Sequence, residues 1–97
     1  MESQTVTVVA RIRAKAGKET EVRDTLLALV GPTSAEKGCI SYDLHQSEDD
    51  QGLFLFYENW QSVIHESIGI ITNVKFLILI YYITEKFINK QRHAKLT

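Results

Sequence analysis

Cysteine and proline are almost missing from this chain: one of each in 97 residues. The lone thiol, Cys39, excludes an internal disulfide and any cysteine-based metal cluster, and reads as a small buried hydrophobe. His45, His65 and His93 are too scattered for metal-ligand spacing, so no metal is expected. Gly52 and Gly69 stand alone, with no phosphate-binding loop around them. Neither sign of charge dominates. Eleven basic and twelve acidic side chains leave a net charge of −1, which gives no reason to expect nucleic acid. Long hydrophobic runs are missing too. Phe76 to Ile83 is eight apolar residues flanked by Lys75, far short of the ~20 that span a bilayer, so no membrane partner is expected. Met1-Glu2-Ser3-Gln4 is polar and acidic, unlike a secretory leader, and the expected location is cytoplasmic.

What remains is 44% apolar and 24% charged, the composition of a soluble globule. The length suits a single domain over residues 1–97. A domain this small leaves much of its surface wet, and oligomerisation would help its stability.

The chain is organised around residues 53–60, Leu-Phe-Leu-Phe-Tyr-Glu-Asn-Trp. Aromatic and aliphatic content reads as a strand. Phe54, Phe56 and Trp60 share one face, and Leu53, Leu55 and Tyr57 the other. A strand apolar on both sides needs cover on both. Glu58 stands on the Phe56/Trp60 face, a carboxylate among aromatics.

Residues 5–13 alternate, with Val6, Val8, Ala10 and Ile12 on one face. From Lys18 the period becomes helical: Val22, Leu26, Leu29 and Val30 form one stripe. Gly31-Pro32 is expected to interrupt that helix, since proline lacks an N–H and clashes one turn back. Thr33 to Lys37 would add a further turn. Residues 39–46 are a second strand, with Ile40, Tyr42 and Leu44 on one face and Ser41, Asp43 and His45 on the other. The polar turn 47–52 joins it to 53–60 as a hairpin. Pairing residues whose numbers sum to about 100 places Ile40, Tyr42, Leu44, Phe54, Phe56, Glu58 and Trp60 on one face, which the first helix can cover. Val9, Leu53, Leu55, Tyr57, His45 and Asn59 fall on the other, mixed face, as at a dimer interface.

After Trp60 the character shifts. Residues 1–60 hold two isoleucines and residues 61–97 hold eight. Gln61-Ser62 reads as a helix start, with Ile64, Ile68 and Ile71 at helical spacing. Length and β-branched content lean to a strand for 76–83, although periodicity alone does not separate strand from helix there. Residues 84–97 read as a basic C-terminal helix or tail. The expected fold is α+β, a ferredoxin-like βαββαβ antiparallel sheet.

Val8-Val9-Ala10-Arg11-Ile12 with Ala16-Gly17-Lys18, then Glu36 to His45, then Phe56-Tyr57-Glu58-Asn59-Trp60, resemble the antibiotic biosynthesis monooxygenase family, especially its quinol-monooxygenase-like members. The resemblance implies a homodimer of the dimeric α/β-barrel type whose sheets pack face to face. It implies a pocket between each sheet and its helices, and oxidation of quinol-like aromatics by O₂ without flavin, haem or metal. It fades after Ser62: Gly69 stands where members usually carry a histidine.

On this reading Glu58, Trp60 and His65 are the catalytic candidates, with Tyr42, Phe56, His45 and Asn59 as substrate-binding candidates. A carboxylate in an apolar pocket has its pKa raised by desolvation and can serve as a base near neutrality, and an imidazole titrates there too. Either Glu58 or His65 would deprotonate a phenol or quinol. The competing reading makes Trp60 core and Glu58 a structural pairing, in a non-catalytic binding or assembly module of the same fold.

Overall fold

The computed structural model describes residues 5–72 and 84–94. The elements run β1 (Val6–Ala14), α1 (Glu19–Ser34), β2 (Cys39–Gln46), β3 (Leu53–Trp60), α2 (Val63–Thr72) and β4 (Thr84–Ala94). The four strands form one antiparallel sheet in the order β2-β3-β1-β4. This is the ferredoxin-like arrangement, with β2 and β4 outermost among the described strands.

Alternation decides which face is buried. In β1, Val6, Val8, Ala10, Ile12 and Ala14 are buried, as are Phe54, Phe56, Glu58 and Trp60 in β3. β1 and β3 pair so that these residues meet, Ile12 opposite Phe54 and Val6 opposite Trp60. Helix α1 lays Val22, Leu26 and Leu29 onto Ala10, Ile12, Ala14, Phe54 and Phe56 to make the main core. A second, smaller cluster of Val6, Val8 and Trp60, with Cys39 packed against it, fills the other end. Tyr42 touches both clusters, and its ring stacks on Phe56 with centroids 4.5 Å apart.

Three expectations are corrected. Helix α1 does not stop at Gly31-Pro32 but runs through Pro32 to Ser34. A proline in the last turn forfeits one hydrogen bond, to the carbonyl of Ala28, and Ala28 is exposed to water. The inward face therefore gains Thr33, buried along with Val22, Leu26 and Leu29.

Ile40 does not join the buried face. The register sums to 100 from Ser41–Asn59 to Gln46–Phe54, but Cys39 pairs with Trp60, so the strand bulges at Ile40. An extra residue shifts the side-chain parity: Cys39 turns inward and Ile40 is exposed.

Residues 84–94 form a strand, not a helix or tail. They pair along all of β1, Val6 opposite Ala94 and Val8 opposite Arg92, and the backbone bonds of an open sheet edge outweigh a polar composition. The strand expected at 76–83 lies outside the described residues.

At Gly38 the chain turns from α1 into β2 with φ +85, a left-handed conformation that costs a residue with a Cβ. A Cβ there would also collide with the His65 side chain.

Candidate active site

The helix-covered end of the sheet brings together Tyr42, Phe56, Glu58 and Trp60. Tyr42 is the cross-strand partner of Glu58, and the hairpin register alone puts both on one face. Glu58 is 7% exposed and Trp60 1%. The indole Nε1–H of Trp60 donates to Glu58 Oε1 at 3.0 Å, so the ring both walls the carboxylate and fixes its direction. The Tyr42 hydroxyl shares a hydrogen bond with Thr33. Burial, then the charge of Glu58, pushes its ionisation far above the ordinary tyrosine range, which keeps it a neutral donor. The Cys39 thiol is likewise pushed up, first by burial and then by Glu58.

The other candidates lie elsewhere. His45 and Asn59 project from the opposite face of the sheet, which the helices leave open. His45 is exposed there. Asn59 sits in a polar row across three strands: Thr7 Oγ1 donates to Asn59 Oδ1 at 2.6 Å, and Asn59 Nδ2 donates to Ser41 Oγ at 2.9 Å. His65 is in the first turn of α2. Its backbone N–H donates to Ser62 Oγ at 3.2 Å, closing the helix N-terminus. Its Nδ1 lies 2.8 Å from the same oxygen, and its ring rests against Gly38. No described bond joins His65 to Glu58 or Trp60.

Among the described side chains of α2 the buried one is Glu66, 1% exposed, whose Oε1 accepts from Arg92 Nε of β4 at 2.7 Å. Sequence reasoning missed Glu66, Arg92 and Thr33. For Thr33 the signal was present, since it continues the stripe Val22, Leu26, Leu29 by one more turn. For Glu66 the isoleucine spacing pointed the wrong way.

A shallow cleft of about 470 Å³ lies at the opposite end of the sheet, between the first turn of α1 and the β2–β3 turn. Its lining includes Glu19, Arg23, Gln46 and Asp50. Arg13 pairs with Asp50 at 2.7 Å nearby and, with the Gly52 N–H, holds that carboxyl below its ordinary range. This polar hollow does not suit an aromatic ring. Among the described residues no cluster of histidine, cysteine, aspartate and glutamate could hold a metal ion.

A ferredoxin-like sheet with both helices on one face, and a carboxylate–tryptophan pair beneath them, defines a small α+β protein with a helix-side site. The chain belongs to the antibiotic biosynthesis monooxygenase family, whose profile matches residues 5–65. Rv0793 of Mycobacterium tuberculosis, which carries a provisional name as a monooxygenase, is 42% identical over 59 residues, 61% of this chain and 57% of that protein. The Synechocystis protein sll1783, described as uncharacterized, is 32% identical over 57 residues, 59% of this chain and 39% of its own length. The matched stretch thus spans less than two thirds of either relative. Among solved structures, PA3566 of Pseudomonas aeruginosa superposes with a TM-score of 0.90 at 28% identity, covering 100% of this chain and 99% of that one. Rv0793 superposes with a TM-score of 0.87 at 26% identity, covering 96% of each chain. The structural likeness extends past the residues at which the family profile stops.

Proposed function

We propose that the protein is a cofactor-independent monooxygenase that oxidises a phenolic or quinol-like aromatic with O₂. The observation that carries this reading is Glu58, a carboxylate buried in an aromatic wall and aimed by the Trp60 indole. Glu58 is the base, and His65, turned to Gly38 and Ser62, is not. Phe56 and Trp60 hold the ring, and Tyr42 donates to the developing oxyanion. Glu58 takes the phenolic proton. The resulting anion passes one electron to O₂, and the substrate radical and superoxide combine at a ring carbon. Loss of water then leaves a quinone: one oxygen atom enters the substrate, the other departs as water, and all four electrons come from the aromatic. A dry site keeps the radical pair from escaping.

The working form in this reading is a homodimer joined through the open sheet face. Val9, Leu53 and Leu55 are half-buried there and Tyr57 is exposed. A two-fold axis would bring the same apolar patch together from both chains, and burying it contributes ~25 cal/mol per Å². Sedimentation at micromolar concentration should give a dimer for the wild type and a smaller or aggregated species for Leu55→Lys. A wild-type monomer would remove the interface.

Oxygen uptake by metal-free protein, measured across a panel of hydroquinones, tests the chemistry. Glu58→Gln keeps an acceptor for the Trp60 indole while removing the base, and should lower kcat by about 100-fold or more. Wild-type uptake no greater than that of Glu58→Gln sinks the proposal.

A further inference from the structure

The pair formed by Glu66 and Arg92 has no role in the reaction just described, yet it places a charge in the same site. Val8 pairs with Glu58 on one side and with Arg92 on the other. Direct cross-strand partners share a face, so Tyr42, Glu58, Val8 and Arg92 form one row across the whole sheet on the helix side. Glu58 and Arg92 are two strand spacings apart, roughly 9–10 Å at the backbone. Glu66 meets that row from above.

The pair is polarised. Its carboxylate is 1% exposed while the arginine side chain is 48% exposed, so the positive end faces outward. Glu66 holds Arg92 through Nε, and no other described residue bonds the guanidinium. The two Nη groups thus remain for a ligand. A guanidinium pinned at Nε and open at its end is a bidentate receptor for a planar carboxylate. Freeing Arg92 would break a 2.7 Å ion pair with a carboxylate that is 1% exposed, which keeps the fork in place.

We propose that Arg92, positioned by Glu66, is an anion subsite, and that the ligand of this site is an aromatic carrying a carboxylate across the ring from its phenolic hydroxyl. The proposal rests on the helix-side site of the preceding reading. The hydroxyl meets Glu58 and the carboxylate reaches Arg92, the two residues that flank Val8 in the sheet.

Titration followed by Trp60 fluorescence, with 4-hydroxybenzoate and its neutral isostere 4-hydroxybenzamide, tests this without requiring turnover. Wild-type protein should bind the benzoate about tenfold more tightly than the amide. Arg92→Gln should abolish that preference, and Arg92→Lys should keep part of it. Because Arg92→Gln alone takes the ion-pair partner from a buried carboxylate, the double variant Glu66→Gln/Arg92→Gln, which removes both charges, should lose the preference as well. Equal affinity of the wild type for the two ligands, a preference that survives in the double variant, or no binding of either ligand overturns the proposal. A preference without oxygen uptake keeps the subsite and removes the monooxygenase reading. Uptake with neutral hydroquinones and no preference does the reverse.

Discussion

Helix α1 turns Val22, Leu26 and Leu29 into the sheet and leaves its charged side chains in water. Helix α2, over the same face, turns Glu66 in and leaves Val63, Ile64 and Ile68 exposed, Ile64 by 70%. The first helix is held by non-directional burial, worth about 1.5–3 kcal/mol for each large side chain. Among its described residues the second is held by directional contacts: the Ser62 cap, the seat of His65 on Gly38, and the ion pair of Glu66 with Arg92. Apolar cover tolerates small shifts, whereas a capped and bridged helix has one working position. The difference suits their places, since α1 covers the main core and α2 covers the end that holds Glu58.

The comparison breaks most visibly at Leu26. Leu26→Ala opens a cavity beneath α1 and should cost about 2–5 kcal/mol in urea denaturation. A loss below 1 kcal/mol would show that α1 is not held by its stripe. Gly38→Ala strikes the seat of α2. It forces a Cβ into a left-handed backbone and against His65, and should cost about 1–3 kcal/mol, with Trp60 emission shifting as the small cluster loosens. An unchanged spectrum and midpoint would mean that His65 is not seated there. Ile64→Ser should be the mildest, within about 0.5 kcal/mol of wild type. A larger loss would mean that the outward isoleucines of α2 are covered in solution and that the contrast between the helices is false.

The same contrast explains what could be read from the sequence. Strands β1, β2 and β3 and the face carrying Tyr42, Glu58 and Trp60 were legible because period-2 alternation and the hairpin turn act locally. So was the stripe of α1, which obeys burial. Proline's reputation hid the last turn of that helix, because the rule concerns helix interiors and Pro32 sits near an exposed end. Ile40 was misplaced because a bulge changes parity without leaving a mark in composition. Glu66 was illegible for a deeper reason. Its burial depends on Arg92, 26 residues later on a strand that reads as polar, and no local pattern announces such a partner. His65, chosen for its chemistry, turned out to be part of a helix cap.

The bulge at Ile40 also supplies an instrument. By turning Cys39 inward it sets the chain's sole thiol against its sole tryptophan, in the cluster with Val6 and Val8. Thiol-labelling kinetics and indole emission therefore view one small volume from two sides. A labelling reagent reaches Cys39 when that end of the sheet breathes, and Trp60 reports the same opening by its own light. No engineered probe is needed to time it.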